Sequence, residues 1–188
     1  MTLIAETTEA KQNPMRQVRV EKVTVNIAVG KSGEPLEKAK KVLQQLTGQT
    51  PSPRNARRTV KDWGIRKGEP ISCIVTLRGE RAKSFLKRAM EAVGNKLPET
   101  CFDDRGNFAF GIKEHIEIPG TKYVPELGIF GMDVNVTLER PGYRVKRRAL
   151  RRSKVGRNHL VTKEEAIDFA VSKLQATIIR GGTTVGED

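Results

Sequence analysis

Few stretches of this 188-residue chain hold side chains that could do covalent or metal chemistry. The segment GNFAFGIK (106–113) has two glycines and a lysine, the ingredients of a loop that cradles phosphates. Such a loop needs its lysine directly after the second glycine, then Ser or Thr for magnesium. Here Ile112 intervenes and Glu114 follows Lys113, so the spacing fails. The two histidines, His115 and His159, have no second His or Cys at ligand spacing, which argues against zinc. Cys73 lies in an apolar, strand-like run, the setting of a structural thiol and not of a nucleophile. With Cys101 it makes two cysteines outside any CxxC pattern, too few for a disulfide scaffold. Both read as reduced thiols of an intracellular protein, packed as small apolar residues. Glu114 and Glu117 fall where the pattern alternates like a strand, so they point to opposite faces and cannot pair for acid–base work. No catalytic constellation emerges, and no cofactor or metal motif.

Binding to a polyanion is the chemistry that the side chains do support. Lys and Arg number 35 against 22 Asp and Glu, giving a formal net charge of +13. Such an excess favours nucleic acid as the partner. The charge is concentrated in two windows. PSPRNARRTVKDWGIRKG (51–68) has a net charge of +5, and RVKRRALRRSKVGR (144–157) has eight cations and no acid. Together they equal the net charge of the whole chain, so the other 156 residues are neutral overall. Six of the eight cations in the second window are Arg, suited to bidentate phosphate contacts and to stacking on bases. As a helix this window would crowd like charges at i, i+3 and i+4. As an extended arm it would span on the order of 45 Å of phosphate backbone. It also has the composition of a nuclear signal. Trp63, the only tryptophan, lies in the first window and reads equally as a base-stacking platform or as a core anchor. No apolar run approaches the length of a membrane span, and the N-terminus lacks the pattern of a signal peptide.

The elements that must position these groups follow from periodicity. VRVEKVTVNIAVG alternates Val23, Val25, Ile27 and Val29 against Thr24, Asn26 and Ala28, a strand half-buried on one face. Leu36, Ala39, Val42, Leu43 and Leu46 recur at helical spacing after Pro35 and stop at Gly48. The basic stretch 49–68 reads as a loop or hairpin between strand ends. ISCIVTLRG (71–79) is a β-branched strand. Ala82, Phe85, Leu86, Ala89, Met90 and Val93 mark a second helix. Residues 95–111 look irregular, IKEHIEI (112–118) alternates as a strand, and MDVNVTLE (132–139) does so again. TKEE at 162–165 is a capping box opening a third helix, with Ala166, Ile167, Ala170, Val171 and Leu174 on its buried stripe. The strands alternate, unlike those of a parallel sheet covered on both faces. The expectation is an α+β fold, a mainly antiparallel sheet with helices packed on one face and long basic loops. Residues 1–14 read as a disordered lead-in, 15–179 as a single RNA-binding domain and 180–188 as a mobile tail.

Five stretches, VEKVTVNIAVG, LTGQTP, ISCIVTLRG, GNFAFGIKEHIEIPG and GIFGMDVNVTLERPGYRVKRR, occur in this order along the chain. Together they resemble the large-subunit ribosomal protein five family, the universal 5S rRNA-binding protein. FGMD and RPGYRV are similar to its archaeal and eukaryotic branch. The resemblance implies a structural RNA binder in the cytoplasmic ribosome and not an enzyme. It implies contact with 5S rRNA and large-subunit rRNA in the central protuberance. It also implies a protruding loop at the elbow of P-site tRNA, and neighbouring ribosomal proteins that include a small-subunit bridge protein.

Carried over by position, Asn26, Gln49, Thr50 and Thr76 would contact 5S rRNA, with Arg78 of the same VTLRG segment beside them. Small polar side chains of this kind, read here at strand ends, suit base edges and 2′-hydroxyls. Arg54, Asn55, Arg57, Arg58 and Lys61 would form the tRNA-facing loop. Arg144, Lys146, Arg147, Arg148, Arg151 and Arg152 would neutralise rRNA phosphates, an expectation that rests on charge. That stretch is expected to be ordered only when phosphates surround it. The competing reading is a nonspecific polyanion binder, whose affinity charge and salt alone would set.

Overall fold

The computed structural model describes residues 13–179. In chain order the regular elements are β1 (Arg19–Ala28), α1 (Glu34–Thr47), β2 (Ser52–Asn55), β3 (Pro70–Leu77), α2 (Gly79–Ala92), β4 (Lys96–Pro98), β5 (Phe108–Ile112), β6 (Met132–Glu139), α3 (Lys163–Leu174) and β7 (Thr177–Ile179). Five strands form one sheet in the order β2-β3-β1-β6-β5, and every neighbouring pair in it is antiparallel. The α+β architecture expected from the alternating strands is therefore present. The expected lead-in (1–14) falls outside the described residues up to residue 12, and the expected tail (180–188) lies wholly outside them. Asn13 belongs to the described part, where its side chain caps a short 3-10 turn, Pro14–Arg16.

Alternation sets the face of each strand, and register lines the faces up. Val25 pairs with Val75 on β3 and with Val134 on β6, all three buried on the same side. A slip of one residue would turn this apolar row to water, so burial fixes the register. The helices cover that side. α1 buries Leu36, Ala39, Val42, Leu43 and Leu46 and packs on β3. α2 buries Ala82, Phe85, Leu86, Ala89 and Met90 and packs on β1. Each such large side chain contributes about 1.5–3 kcal/mol when fully buried.

The helix ends follow their signals. Gly48 closes α1 at φ 65°, in the left-handed region that a residue without Cβ enters freely. Thr162 and Glu165 form the reciprocal capping box of α3. Val171, expected on the buried stripe of α3, is instead half exposed, because the helix buries only Ala166, Ile167 and Ala170.

Two further expectations are corrected. The region 95–111 is not irregular, for it contains β4 and most of β5, with Phe108, Phe110 and Ile112 turned into the core. The stretch 112–118 is not a strand. Pairing with β6 ends at Ile112, opposite Met132, and the chain then winds into a 3-10 turn at His115–Glu117. His115 is only 4% exposed there, and its Nδ1 accepts a hydrogen bond from the Phe130 amide at 3.3 Å. That bond ties the 3-10 turn to the long loop before β6. A separate two-stranded parallel sheet pairs β4 with β7.

Candidate nucleic-acid interface

Among the described residues the helices leave the second face of the five-stranded sheet open, and polar side chains line it. Cross-strand neighbours on one face share a row, so the pairings give the layout directly. One row is Thr76, Thr24 and Asn135, on β3, β1 and β6. The next is Ile74, Asn26 and Asp133, in which Asn26 Nδ2 donates to Asp133 Oδ2 at 3.4 Å. Thr76 is the penultimate residue of β3 and Asn26 stands two residues before the end of β1, so both lie near strand ends, as expected, on interior strands of the sheet. On β2, Arg54 lies opposite Ser72 and extends the same face to the sheet edge. Gln49 and Thr50 occupy the turn that leads from α1 to β2, and Arg78 is exposed at the start of α2.

The two basic windows emerge at opposite ends of this face. β3 runs antiparallel to β1, so the loop between β2 and β3 leaves the sheet beside the end of β1, where the Val29 and Gly30 amides donate to Ile71 O. β6 also runs antiparallel to β1 but ends at its start, with Glu139 opposite Arg19. The second window follows from there. β1 is ten residues long, so about 30 Å of strand separates the two ends.

The first window is a built loop, not a free coil. Ala56 N donates to Glu69 O, and Gly68 N donates to Ala56 O. Farther out, Val60 and Ile65 exchange both backbone hydrogen bonds. Lys67 N donates to Thr59 Oγ1 at 3.0 Å. At the base, Ser32 Oγ donates to Glu69 at 2.5 Å and Arg66 N donates to the other oxygen of that carboxylate. These donors hold the Glu69 carboxyl below its usual pKa, Ser32 contributing most. Arg54, Asn55, Arg57, Arg58 and Lys61 are all exposed. Trp63 is 74% exposed at the tip, which removes the core-anchor alternative and leaves its rings open for stacking.

The second window is neither a continuous helix nor an extended arm. A 3-10 turn, Tyr143–Lys146, opens it, and Ser153 N donates back to Val145 O, folding the stretch on itself. Tyr143 staples the two ends together. Its hydroxyl donates to His159 O and accepts from Val161 N, each at 3.1 Å. Lys146 Nζ lies 4.7 Å from the centre of the Tyr143 ring, in reach of a cation–π contact. Arg144, Arg148, Arg151 and Arg152 are exposed, and Arg148 Nε donates to Arg151 O at 2.8 Å. Arg147 differs from them, since its guanidinium is bonded to the carboxylates of Glu21 and Glu139.

Several residues of this surface escaped the sequence reading. Beside the folded-back stretch lies a groove of about 490 Å³ with Lys22, Arg105, Asn107, Thr137 and Lys154 in its walls. Lys22 and Thr137 pair across β1 and β6. Their alternation with buried neighbours was visible in the sequence, as was that of Thr24 and Asn135. Arg105 and Asn107 stand in a turn held by Asp103, whose Oδ1 accepts from both backbone amides. Nothing in the local sequence links that turn to the groove.

The groups first weighed for catalysis lie apart. Burial pushes the Cys73 and Cys101 thiols up, away from the reactive thiolate. Among the described residues, no three His, Cys, Asp or Glu side chains gather as metal ligands. No helix among them is long and apolar enough to cross a membrane.

Comparison with known proteins shows the family. Two family models match in succession, "Ribosomal protein L5" over residues 13–66 and the model of the same ribosomal family's C-terminus over residues 70–169. The large ribosomal subunit protein uL5 of Pyrobaculum aerophilum is 60% identical over 159 residues, which cover 85% of this chain and 89% of that protein. The protein of that name from Nitrosopumilus maritimus is 47% identical over 175 residues, 93% of this chain and 99% of the relative. That of Nanoarchaeum equitans is 53% identical over 169 residues, 89% and 99% of the two chains. Matched by both family models over most of its length and by relatives of 47–60% identity, the chain belongs to the L5 family of large-subunit ribosomal proteins.

Proposed function

We propose that this chain is a structural constituent of the large subunit that binds 5S rRNA across its open sheet face. In this reading it works in the cytoplasm and contacts P-site tRNA with the loop between β2 and β3. The observation that carries the proposal is the polar rows Thr76–Thr24–Asn135 and Asn26–Asp133, flanked at both ends by clustered cations. Cations at the ends hold the phosphates and set register, while the short polar side chains between them meet base edges and 2′-hydroxyls. Asn26, Gln49, Thr50, Thr76 and Arg78 are assigned to 5S rRNA. Arg144, Lys146, Arg148, Arg151 and Arg152 are assigned to rRNA phosphates. Arg54, Asn55, Arg57, Arg58 and Lys61 face tRNA, with Trp63 at the tip. A small-subunit protein at the subunit bridge completes the contacts. None of these roles calls for catalysis.

The test is a binding titration of the purified chain against 5S rRNA, tRNA and duplex DNA over a salt series. Readout by shape and hydroxyls retains 5S rRNA at salt concentrations that release DNA. Parallel loss of all three ligands would reduce the protein to a polyanion binder driven by counterion release.

A further inference from the structure

The helix side of the molecule carries a second surface, on the layer opposite the polar sheet face. The start of β1, α2 and α3 enclose a groove of about 370 Å³. Val18, Val20, Leu86, Phe169 and Leu174 make its floor. Arg19, Lys83, Lys87 and Lys173 stand around it, and no carboxylate among the described residues lines it. Two of these cations have partners, Arg19 with Glu139 at 2.9 Å and Lys83 with Glu80 at 2.7 Å. Among the described residues, Lys87 and Lys173 have no carboxylate within 4.0 Å. The adjoining groove differs, for Glu165 and Asp168 in its wall give it mixed sign.

An aliphatic and aromatic floor under a cationic rim has a definite complement. A phosphodiester backbone would meet the lysines but leave the floor without apolar contact. Aliphatic side chains of a peptide fill the floor, and carboxylates beside them meet the lysines, so both parts of the surface are used. We propose that this groove docks a segment of a neighbouring protein, one in which apolar side chains are flanked by Asp or Glu. It lies on the helix layer, so the segment and an RNA on the sheet face bind together. The proposal rests on membership of the large subunit and is independent of which RNA the sheet face takes.

The experiment uses the full chain in purified large subunits, with the photo-reactive residue p-benzoylphenylalanine at position 83. The expected adduct is a protein segment with acidic residues next to aliphatic ones. Adding Lys87→Glu and Lys173→Glu should lower its yield about tenfold, since like charges then face each other across the contact. If the reversed chain fails to enter subunits, the Lys87→Gln, Lys173→Gln pair is read instead, with a smaller drop expected. An adduct on rRNA, on a second copy of this chain or on a segment without carboxylates overturns the proposal. So does the absence of an adduct, or a yield indifferent to both substitution pairs. Retention of 5S rRNA, measured in the same particles, separates failure of the groove from failure of the RNA reading.

Discussion

The Arg147 guanidinium lies 2.5 Å from the Glu139 carboxylate, and it also reaches Glu21 at 2.9 Å. Glu139 is only 6% exposed and also receives Arg19. Two cations therefore compensate one buried acid at the point where the second basic window leaves the sheet. Arg147 was expected among the phosphate contacts, yet its charge is already used within the fold. The expected outcome for Arg147→Gln is weaker RNA binding with no loss of salt dependence, because the window is mispositioned while no phosphate contact is removed. Arg148→Gln should instead lower the slope of log K against log salt by about 0.7–0.9. Parallel salt titrations check both, and a slope change of that size for Arg147 would make it a phosphate ligand.

Asn26 sits on the polar face near the end of the central strand β1, where its side chain bonds Asp133 at 3.4 Å. That long bond leaves its amide available to RNA. Asn26→Ala should cost about 1–3 kcal/mol against 5S rRNA and leave duplex DNA binding unchanged. Equal losses on both ligands would remove Asn26 from the readout.

Trp63 packs on little of its own protein, so Trp63→Ala should shift stability by less than about 0.5 kcal/mol. If its rings stack on RNA, the same change weakens tRNA binding by about 1–3 kcal/mol. Thermal unfolding and a tRNA titration together check the pair of outcomes. A large drop in melting temperature would show that the loop depends on Trp63 for its fold.

Tyr143 closes the base of the second window with one hydroxyl that serves two backbone groups. Tyr143→Phe leaves His159 O and Val161 N without that partner, a cost of about 1–3 kcal/mol. Hydrogen exchange should then quicken at Val161 and at Ser153, whose amide closes the fold-back. Unchanged exchange would mean that the staple is dispensable. The same measurement, with and without RNA, tests the expectation that this window orders only among phosphates.

His115 gives the pH dependence a definite sign. Burial lowers its pKa from 6.5, outweighing the opposing charge of Glu114. The unfolded chain therefore binds this proton more tightly than the folded one. Its contribution to stability is full above the unfolded value, and it falls as pH drops below about 6.5 towards the lowered folded value. Urea unfolding of wild type and His115→Gln between about pH 7.5 and 5 checks this. The wild type should lose stability more steeply, and parallel curves would show that His115 does not titrate in the fold.

The sequence by itself determined the elements whose signals are local. Val23, Val25 and Ile27 alternate because one sheet face must be dry, and the stripes of α1 and α2 repeat because one helix face must be. The Thr162–Glu165 box announced its helix for the same reason, since both bonds close within four residues. Charge clustering was legible too, being a sum over neighbours in the chain. Tertiary structure alone decided the rest. It ended β5 at Ile112 and wound His115 into a turn, because the Phe130 amide arrives from fifteen residues away to hold that ring. It placed Lys22, Arg105 and Lys154 along one groove from three distant segments. It also paired Arg147 with Glu21 and Glu139, so one cation in a uniform run became part of the scaffold. Periodicity reports which face of an element is buried, but it carries no information about which distant charge will lie beside it.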